Sequence, residues 1–127
     1  MKLAPRETVI MAEDYDKVVA WYRDVLGMKV VAEHTDGYHY TNLENDAGLK
    51  IGIAVASEME VQPGDRTKNT VILQFAVPDV KALFEHLTSN GIKTTFGPSF
   101  AEKGQFWYGA FPDVEGNPCW VVDENCP

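Results

Sequence analysis

The chain has 127 residues, 45% apolar and 24% charged, and 19 acidic against 11 basic side chains give it a net charge of −8. That length holds one domain and no second core, and the acidic balance argues against nucleic acid, whose phosphates need a basic surface. No apolar run approaches the roughly 18 residues of a membrane span.

Taken in chain order, the first element is a β-rich run, Thr8-Val9-Ile10-Met11, ending at Asp14, a residue suited to cap a helix. Behind it Tyr15, Val18, Val19 and Tyr22 recur at helical spacing, and Gly27 suits the left-handed position that closes a helix. Strands are predicted over 28–34, 38–43 and 49–55. Asp36-Gly37 supplies a hairpin turn between the first two, and Asn45-Asp46-Ala47-Gly48 breaks the second from the third. Gly48 and Gly52 read first as bends in a curved sheet, and otherwise as places of close ligand approach. Residues 57–69 are polar, contain Pro63-Gly64 and read as a linker.

The same pattern then returns. A shift of 65 residues carries Asp14 onto Asp79, and the first helix's apolar positions onto Val80, Leu83, Phe84 and Leu87. Gly91 ends this helix, and strands are predicted over 92–96, 106–111 and 118–123, with a tight turn at Asp113-Val114-Glu115-Gly116-Asn117. The reading is α+β: one domain, 1–127, of two tandem βαβββ modules spanning about 1–60 and 66–127. One such unit cannot bury both faces of its sheet. Two are expected to form a curved mixed eight-stranded sheet, helices outside and a concave cup inside.

Asp14 with Trp21-Tyr22 and Val25-Leu26-Gly27, and the closing Phe111-x-Asp113-x-x-Gly116-Asn117, resemble the vicinal oxygen chelate superfamily. That superfamily includes glyoxalase I, extradiol dioxygenases, fosfomycin-modifying enzymes and bleomycin resistance proteins. The resemblance covers nearly the whole chain and implies the fold; the activity does not follow, because the fold hosts unrelated chemistries. It also implies four positions at which catalytic members place His, Glu or Gln around a divalent ion. Carried over from the motifs, these are Glu7, Gly52, Ile72 and Trp120. Only Glu7 has a ligating side chain, since glycine and isoleucine carry no donor and an indole offers only N–H. No metal and no cofactor are therefore expected. Of the three histidines, His86 falls mid-helix, and His34 and His39 flank the Asp36-Gly37 hairpin with no carboxylate evident in the sequence to complete a site.

Strand alternation turns Val9 and Met11 inward with Glu7, Gln74 with Ile72, and Pro118 and Val122 with Trp120. Phe96, Phe100, Phe106, Trp107, Tyr108, Phe111 and Trp120 crowd the last quarter, and at least one ring of Phe106-Trp107-Tyr108 must face the cup. The candidate ligand-binding residues are Glu7, Met11, Gly52, Ile72, Gln74, Trp107, Tyr108 and Trp120. An aromatic cavity with one carboxylate fits a planar or cationic organic molecule. The leading reading is a metal-free small-molecule binding protein, with sequestration as one use and a homodimer as the form the resemblance implies. The alternatives are a glyoxalase- or dioxygenase-like enzyme with a displaced metal site, and a metal-free acid–base enzyme using Glu7. Cys119 and Cys126 form no metal-binding or redox spacing. With the absence of an apolar leader in Met1–Arg6, they make the cytoplasm the expected location.

Overall fold

The structure, a computed structural model, describes residues 1–127. The chain forms two compact units, Met1–Gly64 and Asp65–Pro127, each with one helix and four strands in βαβββ order. The eight strands divide into two four-stranded mixed sheets. No helix is long and apolar enough to cross a membrane.

In the first module β1 (Thr8–Ala12) leads to α1 (Tyr15–Asp24), followed by β2 (Lys29–His34), β3 (Tyr40–Glu44) and β4 (Lys50–Val55). The Asp14 carboxylate accepts from the Lys17 N–H at 3.3 Å, a cap of the kind that contributes about 1 kcal/mol. The apolar stripe of α1 buries Val18, Val19, Trp21 and Tyr22 against one side of the sheet. That side carries Ile10, Ala12, Leu43, Ile51 and Ile53, all buried. The strand order β1-β4-β3-β2 makes β1 the parallel partner of β4, with Val9 opposite Gly52 and Met11 opposite Ala54.

The second module repeats this plan with β5 (Leu73–Val77), α2 (Val80–Ser89), β6 (Phe96–Ala101), β7 (Phe106–Pro112) and β8 (Pro118–Asp123), in the order β5-β8-β7-β6. Asp79 caps α2 through the Ala82 N–H at 3.0 Å. Val80, Phe84 and Leu87 pack toward Phe111, Cys119 and Val121, and the Phe84 ring lies where a side chain at Gly109 would stand. Gln74 lies opposite Trp120 in the parallel pair, the same register step that joins Val9 to Gly52. Both helices are followed by a glycine at positive φ, Gly27 at 71° and Gly91 at 75°, as the repeat predicts.

Two expectations are corrected. The strand predicted over 92–96 is instead Phe96–Ala101. Gly97-Pro98 looks like a breaker, but β6 is an edge strand, where proline's missing N–H breaks no ladder, and the register shifts between Phe96 and Ser99 to absorb the pair. The polar stretch 57–69 is also more than a linker. It contains 3-10 turns at Ser57–Met59 and Arg66–Lys68, and Arg66 is buried. The Arg66 guanidinium donates to Glu115 at 3.0 Å and to Asn117 at 3.1 Å, pinning this turn to the β7–β8 connection. There the Asp113 carboxylate accepts from the Glu115 and Asn117 N–H groups, each at 2.9 Å.

Candidate functional site

Each sheet has one side covered by its helix and one open side. On the open side of the first module, Val9, Gly52 and Asn42 form one row across the strands, and Met11, Ala54 and Tyr40 form the next. Val9 is 45% exposed, whereas its neighbours Ile10 and Ala12, on the helix side, are buried. Glu7 stands one residue before β1 and shares the parity of Val9. Its carboxylate accepts the Tyr40 hydroxyl on Oε2, and the Asn42 amide from 2.9 Å to Oε1 and 3.3 Å to Oε2.

Gly52 explains how these groups fit. A Cβ at that position would collide with the Tyr40 hydroxyl and the Glu7 carboxylate. The missing side chain of this glycine is the space in which Tyr40 and Glu7 meet. Burial, then the bond to Glu7, raises the Tyr40 phenol to about 12, so the hydroxyl keeps its proton and stays a donor at any physiological pH.

The open side of the second module is apolar. Gln74 and Ala76 from β5, Trp120 and Val122 from β8, and Ala110 and Tyr108 from β7 lie in successive cross-strand rows. A chain of rings crosses it. Trp120 meets Phe96 with centroids 6.4 Å apart, Phe96 meets Tyr108 at 6.2 Å, and Tyr108 meets Phe106 at 6.0 Å. Trp120 and Phe96 are each 43% exposed, a large apolar area to leave in water.

Trp107 does not join this group. Alternation along β7 turns it to the helix side, where the Lys81 ammonium of α2 sits 4.4 Å over its ring and Phe100 packs at 5.3 Å. Of Phe106-Trp107-Tyr108, then, the outer two share the face of Trp120 and the middle one does not. Met11 lies on the open side of the first module, opposite Ala54. Ile72, just before β5, shares the parity of Gln74. It stands to Trp120 as Glu7 stands to Gly52.

Sequence reasoning missed Tyr40 and Asn42, although a signal for them exists. The turn at residues 45–48 sets Glu44 opposite Lys50, and two steps along the hairpin Asn42 must face Gly52. It also missed a carboxylate for His39. Glu58 takes both the His39 backbone N–H at 2.8 Å and its Nδ1 at 2.7 Å, and these bonds hold the Glu58 carboxyl below its ordinary range. His34 stands apart from this pair, its ring 6.3 Å from Tyr40, and His86 is exposed on α2.

The four positions implied by the resemblance do not fit a divalent ion. In the first module Gly52 has no side chain, and the carboxylate of Glu7 already serves Tyr40 and Asn42. In the second, Ile72 is hydrocarbon and Trp120 offers only an N–H donor. No three His, Cys, Asp or Glu side chains are grouped closely enough to hold a metal elsewhere.

Two βαβββ modules in this register define a class of protein, and comparison with known proteins agrees. The chain belongs to the glyoxalase/bleomycin resistance protein/dioxygenase superfamily, whose family model matches residues 5–121. It is similar to a member of that superfamily from Sphaerobacter thermophilus, with 20% identity and a TM-score of 0.78 over 96% of this chain and 98% of that one. A lactoylglutathione lyase from Agrobacterium tumefaciens matches at 17% identity and a TM-score of 0.69, over 96% and 94%. The fosfomycin resistance protein FosX of Listeria monocytogenes matches at 15% identity and 0.73, over 97% and 94%. At such identities the likeness carries the fold alone. No curated protein matches the chain in sequence.

Proposed function

We propose that this protein binds a small organic molecule without a metal, taking a planar aromatic or cationic ligand on its aromatic open face, with sequestration as one outcome. The observation that carries this reading is the ring chain Trp120–Phe96–Tyr108–Phe106, with its two largest exposed surfaces on Trp120 and Phe96. Rings with open faces stack on planar ligands and attract cations through their quadrupoles. Gln74, directly beside Trp120, adds an amide that can both donate and accept. The names of two structural neighbours, a lyase and a fosfomycin resistance protein, show that the fold serves both catalysis and resistance to a small molecule. The donor set here favours the second kind of use.

Glu7 as a catalytic base draws less support. Both its oxygens already accept hydrogen bonds, and the Tyr40 phenol is held protonated. The working form is proposed to be a homodimer in the cytoplasm, as a measured sedimentation mass would register for the first point.

The test is equilibrium dialysis of chelator-treated protein against a panel of planar aromatic and cationic compounds. At least one compound binds tightly, and Trp120→Ala abolishes its binding. A uniformly blank panel, or binding indifferent to Trp120, overturns the reading.

A further inference from the structure

The four strands of the second module hold one charged residue, Asp123. It is buried on the helix side, where its carboxylate accepts from the Trp107 N–H at 2.9 Å. The strands of the first module, by contrast, bear Lys29, Glu33, Glu44 and Lys50. In a chain that is 24% charged, an open sheet face whose strands place no charge on it is a distinct chemical surface.

Register lays this face out. One row runs Gln74, Trp120, Ala110 and Phe96 across the four strands, and the next runs from Ala76 through Tyr108 to Ser99. Ala110 is buried although it stands on the open side. The rings of Trp120 and Phe96, on either side of it in the row, meet with centroids 6.4 Å apart and cover it. The other flank of Trp120 is Gln74, exposed as the alternation of β5 requires. A planar molecule lying against the indole thus has a hydrocarbon ring on one flank and a primary amide on the other.

Charge and hydrogen bonding then separate the ligand classes. A cation on exposed rings gains little, and any ion leaving water here meets no opposite charge on the two rows. A neutral ligand carries no such cost. The Gln74 amide offers a donor and an acceptor side by side, and their complement is an N–H held cis to a carbonyl, as in a cyclic amide. Turning the Gln74 amide over exchanges the two groups, and a cyclic amide turned over meets them equally well.

We infer that the open face of the second module takes an uncharged planar lactam, whose N–H and carbonyl pair with Gln74 while its rings lie against Trp120. This rests on the reading of the protein as a small-molecule binder and narrows its ligand to one chemical class. Every residue involved belongs to Asp65–Pro127.

The experiment compares three probes of one bicyclic skeleton by calorimetric titration of the full chain in chelator at neutral pH. They are 3-methylquinolin-2-one, its isomer 1-methylquinolin-2-one and the cation 1-methylquinolinium. The isomers differ only in whether the methyl group sits on carbon or replaces the N–H. The 1-methyl isomer reports ring binding without the paired edge, and so tests the broader reading by itself. The 3-methyl isomer is expected to bind about fivefold or more tightly, as one added hydrogen bond provides. The cation should bind no more tightly than the 1-methyl isomer. Gln74→Leu should bring the two isomers level and leave the affinity of the 1-methyl isomer in place. If the probes bind but the 3-methyl isomer has no advantage, or keeps it in Gln74→Leu, or the cation is the tightest, this inference falls and the binding function stands. If none of the three binds, both fall. The wild-type comparison alone decides the matter should the variant fail to fold.

Discussion

The Tyr40 hydroxyl reaches the Glu7 carboxylate through the space left by the missing side chain of Gly52. Three residues from three strands or their ends thus depend on one another. The atoms in the way of a Cβ at residue 52 are the far ends of two flexible side chains, not backbone. Gly52→Ala is therefore expected to keep the fold, changing stability by no more than about 1 kcal/mol, since alanine also suits a strand better than glycine. It should nevertheless push Tyr40 and Glu7 apart. The check is carbon-labelled tyrosine NMR, in which the Tyr40 titration falls from about 12 toward the ordinary phenol value in the variant.

Alkaline stability follows from the same pair. Folded Tyr40 titrates at about 12, above an unfolded phenol near 10, so the folded state holds its proton longer than the unfolded chain does. The contribution is fully present below pH about 10 and is lost as pH rises through about 12. Partial exposure screens it to an effect on the order of 1 kcal/mol. Urea unfolding from pH 9 to 12 should show this decline beyond that of the other tyrosines, and Tyr40→Phe should remove it.

The two tryptophans of the second module should behave oppositely. Trp107 lies under Lys81 and against Phe100 on the helix side, so Trp107→Ala should cost roughly 2–3 kcal/mol of stability. Trp120 is 43% exposed, and Trp120→Ala should cost under about 1 kcal/mol while abolishing ligand binding. Chemical denaturation of both variants distinguishes these roles. Equal losses would mean that Trp120 is core after all.

Arg66 supplies a stability prediction outside the site. Its ion pair with Glu115 is almost wholly enclosed, with side chains 9% and 11% exposed. Removing the guanidinium leaves a buried carboxylate without its partner, so Arg66→Ala should lose about 3 kcal/mol. The double variant Arg66→Met, Glu115→Leu should recover much of that loss, as measured by denaturant midpoint.

Much of this was legible in the residues because it is local or repeated. The capping Asp14 and Asp79, the stripes behind them and the closing Gly27 and Gly91 all act over a turn or two of chain, and the 65-residue shift checks each cap and stripe against its copy. Carrying the family motifs over, four residues after Gly48 and Gly116, placed Gly52 and Trp120 at equivalent points of the parallel pairs, where the register puts them. What stayed hidden depends on pairing across strands. Tyr40 and Asn42 matter only through contact with Glu7, more than 30 positions away, and the hairpin turn that sets them opposite Ala54 and Gly52 says nothing of that contact. Trp107 and Tyr108 could not be told apart until β7 had a register, because one step reverses every side chain. Strand β6 was misplaced because its pairing with β7 at the sheet edge, with a register shift between Phe96 and Ser99, has no local mark in the sequence.

In the proposed function Trp120 meets a ligand where no metal takes part. The most direct measurement is proton–nitrogen NMR of the indole signals in chelator-treated protein, titrated with the tightest compound from the dialysis panel. Three tryptophans give three signals, so Trp21 and Trp107 serve as internal references for Trp120. The expected result is a saturable shift of the Trp120 indole, with the other two nearly still and no dependence on added divalent ions. A still Trp120, or a shift that appears only when a metal is restored, would contradict it.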